Sequence, residues 1–375
     1  MIKKKMLIFH PALAPYRIDQ FNSLNELFDL HIVFLFDNLL TFKYDQNHLL
    51  SQCTFKVSFL LRGPRIKGRV FRFGIYKKIR SIRPDIILGY EYSFTTQYLI
   101  LLKRLGLIKQ KIGNTVDDSL DICFNIQSGA RSQARSYSIK YLDFIVVLSQ
   151  EVSRYYQDQL NFKEGKIIVS PLIQSPERLR KNTKKIELIA QGYVNKYHLN
   201  NKKVLLFVGR LIPEKALPLF LNNIYSLLLK EPDILFVIVG DGKEVEKLQM
   251  IIEQKNLQDK IILTGRYDNE ELYAWYLSAS GFILSSLSET FGAVVNEALI
   301  FGLPVLCSKY AGASSLITPD NGLIFDPSNK ENTLEALKLF LTMIDPLNSL
   351  KLHLKPPLMG NDGLNFTREW SKLIN

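Results

Sequence analysis

The sequence predicts an α/β protein of two Rossmann-like, doubly wound domains, and three observations carry that reading. The chain has 375 residues, enough for two hydrophobic cores of ordinary domain size. In its second half a buried-type strand, a polar or glycine-bearing loop and a helical pattern recur four times in order. That is the series expected of a parallel sheet whose ligand loops lie at the carboxyl ends of its strands. The first half alternates strand and helix patterns in the same way.

In the first half, residues 5–9, 30–36, 55–60, 85–88, 111–115, 144–148 and 167–169 are short apolar runs that read as strands. Residues 16–28, 94–105 and 151–160 carry apolar residues at helical spacing. Met1 to Lys5 is basic, but the apolar run Met6 to Phe9 stops at His10-Pro11, so this start is expected to be the first strand rather than a leader. Pro171-Leu-Ile-Gln-Ser-Pro176 and the Lys-rich run to about Lys185 are expected to link the domains. The first domain would then cover 1–175 and the second 186–345. Residues 346–375 form a tail that is irregular through Pro356-Pro357 and ends in a helical pattern over 366–374.

The second half carries the chemistry. Val204-Leu-Leu-Phe-Val-Gly-Arg210-Leu-Ile-Pro-Glu-Lys215 is a strand ending in glycine, followed by two cations at the start of a helix. Ile234-Leu-Phe-Val-Ile-Val-Gly240-Asp-Gly242 and Lys260-Ile-Ile-Leu-Thr-Gly-Arg266-Tyr267 come next, and Phe282-Ile-Leu-Ser285 is the fourth strand. After the polar turn 286–290, Val294, Val295, Ala298, Leu299 and Phe301 show helical spacing. Glu289 therefore lies in the loop at a helix N-terminus, and Glu297 lies inside the helix. Such a terminus offers free N–H groups and about +0.5 of an elementary charge, and Gly292 lets a ligand approach the backbone. A carboxylate there can accept hydrogen bonds from sugar hydroxyls. Taken alone, the two acids also read as a helix-start preference and a solvated helix charge.

The ordered series from about Lys203 to Pro327 resembles the donor-binding half of retaining family 4 glycosyltransferases, of GT-B fold. The resemblance implies two domains facing across a cleft, with the final helix crossing back to the first. Arg210 and Lys215 match the pair that holds the donor's diphosphate, with Gly240 ending the next strand of the donor site. Glu289 matches the first acid of the Glu-x7-Glu motif, placed against the transferred sugar, and Glu297 the second, on the ribose hydroxyls. Phe291 and Gly292 match the loop over sugar and phosphate, and Arg266 and Tyr267 border the nucleobase. A guanidinium fork, an ammonium and a helix N-terminus would stabilise a departing diphosphate without a metal.

The first half departs from the family pattern. His10-Pro-Ala-Leu-Ala-Pro15-Tyr16-Arg17 stands where many members have a glycine pair, and Arg17 is expected at a helix start facing the cleft. In Asn114-Thr-Val-Asp117-Asp118, Asp117 takes the place of a histidine beside the reacting sugar. It can accept a hydrogen bond there but not donate one while ionised. Asp117, Asp118 and Asp121 also form a short acidic turn that reads as a metal site or as solvated charge, and solvated charge is the expectation. Glu91 is a further candidate for acceptor contact.

Hydrophobic content of 47% with 22% charged residues is ordinary for a globular protein. The three cysteines, Cys53, Cys123 and Cys307, are far apart and out of metal spacing, which suggests a reducing compartment. The longest uncharged stretch, 272–288, is too short and polar to span a bilayer. Residues 1–175 hold 25 Lys/Arg against 14 Asp/Glu, and the remainder 23 against 22, so nearly all of the +12 net charge belongs to the first half. No acid occurs between Gln46 and Pro84, where Arg62, Arg65, Lys67, Arg69, Arg72, Lys77, Lys78, Arg80 and Arg83 mix with Phe71, Phe73, Ile75 and Tyr76. That mixture suits an anionic bilayer surface. Nucleic acid is not expected as a partner, since no nucleic-acid motif accompanies the charge.

The resemblance implies an enzyme that transfers a hexosyl unit from a nucleotide sugar to a lipid-linked or surface-polysaccharide acceptor (lipopolysaccharide, capsule or exopolysaccharide). The nucleotide sugar serves as co-substrate, no cofactor or metal is required, and the expected location is the cytoplasmic face of the membrane. Two alternatives share the fold: a nucleotide-sugar 2-epimerase, disfavoured by the scarcity of acid and histidine around the expected cleft, and a silent membrane or nucleic-acid adaptor, disfavoured by the intact Arg210, Lys215, Glu289 and Glu297.

Overall fold

The computed structural model describes residues 2–39, 43–66, 69–125, 129–349, 352–360 and 362–374. It divides into two compact units, Met1–Gln174 with Asn361–Asn375, and Ser175–Gly360.

The first unit contains β1 (Lys5–His10), β2 (Asp29–Phe34), β3 (Lys56–Phe59), the short strands β4 (Arg65–Ile66) and β5 (Arg69–Val70), β6 (Ile86–Tyr90), β7 (Lys111–Thr115), β8 (Phe144–Val147) and β9 (Ile167–Val169). Seven of these form a parallel sheet in the order β3-β2-β1-β6-β7-β8-β9, while β4 and β5 pair antiparallel by themselves. Helices α1 (Ile18–Leu27), α2 (Gln46–Leu50), α3 (Ile75–Ile82), α4 (Phe94–Arg104), α5 (Leu120–Asn125), α6 (Gly129–Tyr141) and α7 (Gln150–Asp158) connect them. Successive strand side chains point to opposite faces, and both faces are covered. Met6, Ile8, Ile32 and Leu88 pack with Phe21 and Leu24 of α1. Leu7, Phe9, Val33 and Ile87 pack with Ile79 of α3, Leu99 of α4 and Tyr156 of α7. Burial on both faces is why these strands read as continuous apolar runs.

The second unit opens with α8 (Pro176–Leu179) and α9 (Thr183–Lys196) and adds β10 (Lys203–Val208), α10 (Leu217–Lys230), β11 (Ile234–Val239), α11 (Val245–Gln254), β12 (Ile261–Gly265) and α12 (Asn269–Leu277). It continues through β13 (Gly281–Leu284), α13 (Ala293–Ile300), β14 (Val305–Ser308), β15 (Gly322–Phe325) and α14 (Lys330–Met343). Its sheet runs β12-β11-β10-β13-β14-β15, all parallel. In each sheet the strand order reverses beside the first strand, between β1 and β6 and between β10 and β13. A ligand crevice forms at such a switch point, outside the carboxyl ends of the strands.

Two readings of the chain's organisation change. The Lys-rich run to Lys185 is not a linker: α8 and the first turn of α9 occupy it, and α9 buries Ile186, Ala190 and Val194 at four-residue spacing against α12. Its exposed lysines hid that apolar stripe. Residues before 361 also stay with the second unit, where Asn201 N–H donates to the Leu347 carbonyl at 2.8 Å, Leu347 N–H to the Lys202 carbonyl at 2.7 Å and Leu358 N–H to the Leu299 carbonyl at 2.8 Å. The last helix, α15 (Asp362–Ser371), belongs to the first unit, where Phe366 and Trp370 enter the core beside Phe28.

The basic segment is also more structured than its composition suggests. Arg72 does not reach outward: it donates to the Leu35 and Leu61 carbonyls at 2.8 and 2.5 Å and lies over the Phe36 ring. Ile75 is core, and Tyr76 packs against it. Phe73, just before α3, is 60% accessible, and Lys77 and Arg80 on α3 and Arg83 just after it are exposed. Lys67 and the Arg69 side chain lie outside the described residues.

Candidate active site

In the second unit, the strand ends at the switch point are built from close backbone contacts. A Cβ on Gly240, after β11, would stand 1.9 Å from the Gly209 carbonyl oxygen, so only glycine fits against the loop leaving β10. Arg210 follows Gly209, and its exposed guanidinium has no partner among the described residues. Lys215 ends a short 3-10 turn, Pro213–Lys215, and Ala216 in left-handed backbone (φ 52°) redirects the chain into α10.

After β13, the Glu289 backbone bridges to Ala311, and its carboxylate forms an ion pair with the Lys215 ammonium. Both side chains are mostly buried, 16% and 13% exposed. Gly292 (φ 95°) starts α13 with no side-chain cap; the Val295 N–H turns back to the Gly292 carbonyl at 2.9 Å, and the Ala293 and Val294 N–H groups are the ones a ligand could meet. A Cβ there would lie 2.9 Å from Leu284 Cδ2. Glu297 sits inside α13 and accepts a 2.8 Å hydrogen bond from the buried Tyr276 hydroxyl. Phe291, expected in the ligand loop, has a side chain only 2% exposed, so the loop offers backbone there rather than the ring.

Arg266 and Tyr267 follow β12, three strands from β13 in the sheet order, about 14 Å at ordinary strand spacing. Arg266 pairs with Asp268 at 2.8 Å, and Tyr267 packs against Tyr193 and Trp275. They stand apart from the Lys215–Glu289 pair.

In the first unit the switch point holds a buried charge network. Arg17, 3% exposed, donates to Asp117 Oδ2 at 2.5 Å and to Gln20 at 2.8 Å. The Tyr90 hydroxyl donates to the same Asp117 oxygen at 2.7 Å. Burial alone would raise the Asp117 pKa, but Arg17 outweighs it and holds the carboxyl below its ordinary value. His10 donates from Nδ1 to the Ala12 carbonyl at 3.1 Å; burial, then the Arg17 charge, push its pKa down to about 3, so the ring is neutral. Glu91, in left-handed backbone (φ 52°), accepts the Asp117 N–H at 2.8 Å and pairs with Arg131 at 2.9 Å. Burial and the neighbouring Asp118 raise its pKa to about 7. Asp118 is met by Arg131 at 2.5 Å, Arg135 at 3.6 Å and the Tyr156 hydroxyl at 2.8 Å.

The tertiary structure therefore joins Arg17, Asp117 and Glu91, which the sequence offered separately. His10, Tyr90, Asp118 as a buried anchor, and Arg131 were not found by sequence reasoning. Tyr90 and His10 could have been inferred from their places at strand ends, whereas Arg131 lies on a helix with no clear apolar period. Asp117 and Asp118 turn to different arginines, and no group of three or more His, Cys, Asp or Glu suited to a metal occurs among the described residues.

Residues 193–351, which include Arg210, Lys215, Glu289 and Glu297, match the family of glycosyl transferases group 1. The second unit carries a group 1 glycosyl transferase domain. The chain is 29% identical over 166 residues to 2-deoxystreptamine N-acetyl-D-glucosaminyltransferase of Niallia circulans, covering 44% of this chain and 43% of that enzyme, so the match spans less than half of that relative. It is 26% identical over 308 residues to a glycosyltransferase of Haemophilus influenzae, covering 80% of both chains. In overall fold it is similar to Anabaena HepE, solved in complex with UDP and glucose, with a TM-score of 0.69 and 15% identity across 99% of this chain and 96% of that one. That likeness extends beyond the transferase domain to both units, and the fold is GT-B.

Proposed function

We propose that the chain is a retaining glycosyltransferase that moves one hexosyl unit from a nucleotide-diphosphate sugar to a lipid-linked or surface-polysaccharide acceptor. The observation that carries this reading is the end of the adjacent strands β10 and β13. A partner-free Arg210, the Lys215–Glu289 pair and the uncapped start of α13 stand there within a group 1 transferase domain. The complex of HepE with UDP and glucose supports a nucleotide-sugar donor.

In the proposed reaction the bond between the anomeric carbon and the β-phosphate oxygen breaks. The acceptor hydroxyl oxygen bonds to that carbon on the same face, and its proton passes to the leaving phosphate oxygen. Arg210, Lys215 and the N–H groups of α13 offset the charge that develops on the diphosphate, so no metal is required. Glu289 accepts a hydroxyl of the transferred sugar, and Glu297 the ribose hydroxyls. Asp117, kept ionised by Arg17 and oriented by Tyr90, is the group in the first unit suited to accept a hydrogen bond from a hydroxyl. The exposed residues on and flanking α3, Phe73, Lys77, Arg80 and Arg83, support docking on the cytoplasmic, anionic face of a membrane.

The test is release of nucleoside diphosphate from a panel of nucleotide sugars, with membrane extract supplying acceptors and with excess chelator present. Turnover of at least one donor is expected. Arg210→Ala should lower it roughly 10- to 150-fold at subsaturating donor, the range of a charged hydrogen bond. No turnover of any donor, or normal turnover by Arg210→Ala, refutes the reading; loss to chelator with rescue by magnesium refutes metal independence.

A further inference from the structure

The two cations at the end of β10 are not equivalent. Arg210 is exposed and its guanidinium has no partner among the described residues, whereas the Lys215 ammonium is already held by the Glu289 carboxylate. Both backbones are pinned. The Lys215 carbonyl accepts from Ser285 Oγ at 2.8 Å and its N–H donates to the Ile212 carbonyl at 3.0 Å, while the Glu289 carbonyl accepts from Gly312 N–H at 3.3 Å. What remains free to change is the side-chain pairing. A diphosphate arriving at Lys215 meets a partly buried carboxylate of its own sign, where Coulomb repulsion is weakly screened.

We propose that Glu289 acts as a counter-ion latch on Lys215: a diphosphate takes the ammonium only by displacing the Glu289 carboxylate, which then needs a donor from the sugar to replace it. This rests on the donor-site reading above. An intact nucleotide sugar supplies both halves of the exchange, phosphate to Lys215 and a hydroxyl to Glu289. The product nucleoside diphosphate supplies only the first and leaves the carboxylate facing an anion without a partner. The latch therefore discriminates against product and promotes its release after transfer.

Calorimetry on the full chain with UDP, GDP and ADP tests this, because none of these probes carries the sugar whose loss would confuse the result. Glu289→Gln is expected to bind the preferred diphosphate roughly 10-fold more tightly than wild type, the low end for one charge-assisted hydrogen bond. The gain should vanish when Lys215→Ala is added. Glu289→Ala, which also removes the charge, repeats the measurement should the Gln variant melt early. Equal or weaker binding in the Glu289 variants, with wild type binding normally, overturns the latch. Failure of wild type and all variants to bind any of the three diphosphates overturns the donor site itself, and the latch with it.

Discussion

Glu91→Gln isolates the cost of a buried carboxylate at the end of β6. The Glu91 pKa is raised to about 7, first by burial and then by Asp118, and the Arg131 charge only partly offsets this. An unfolded glutamate titrates near 4.3. Between these values the native state holds a proton that the unfolded state has released, so stability is greatest below about pH 4.3 and falls as pH rises to about 7. Glutamine keeps the neutral form at every pH and can still accept the Asp117 N–H. The shift corresponds to at most about 3.7 kcal/mol at 1.36 kcal/mol per unit. With one-fifth of the side chain exposed, we expect about 2 kcal/mol after screening. Native-state amide exchange in β6 and β7, read at pH 5 and pH 8, is the assay, since it reports this unit separately from the other. Glu91→Gln should exceed wild type by less than about 1 kcal/mol at pH 5 and by about 2 kcal/mol at pH 8. The Asp117 contribution runs the other way, present at neutral pH and lost as pH falls, and is common to both proteins. Parallel stability profiles would show that Glu91 is ionised without penalty and refute the burial argument.

Arg17→Met strands the Asp117 carboxylate and should cost the first unit about 3–5 kcal/mol in urea unfolding, as for any broken buried pair; a loss below about 1 kcal/mol would mean that water replaces the guanidinium. Gly240→Ala places a methyl on the Gly209 carbonyl and should destabilise the second unit by about 3 kcal/mol or more, and wild-type stability in the same experiment would contradict the close approach. Reversing Lys77, Arg80 and Arg83 to glutamate should abolish flotation with anionic liposomes, at about 1 kcal/mol per charge, while equal flotation with neutral liposomes would leave α3 a solvated face.

The strand series and the glycine-bearing loops at the strand ends could be read from the residues alone. Fully buried parallel strands are apolar at every position, and glycine is obligatory where two strand-end backbones touch, as at Gly240. Both are local constraints that leave a local mark. Glu289 and Glu297 were legible for the same reason, since a loop and a helix start fix their positions. Side-chain partners, by contrast, could not be read locally. Arg17 and Asp117 lie 100 residues apart and meet because β1 and β6 are neighbours across a strand reversal, with β7 next to β6. Nothing in the segment around Arg131 indicates that it will neutralise both Glu91 and Asp118. The basic segment shows the same limit: composition cannot separate Arg72, spent on backbone carbonyls, from Arg80, left at the surface. Residue type and spacing record which backbone a segment adopts, whereas the pairing of long charged side chains depends on strand order, which is settled only when the sheet assembles.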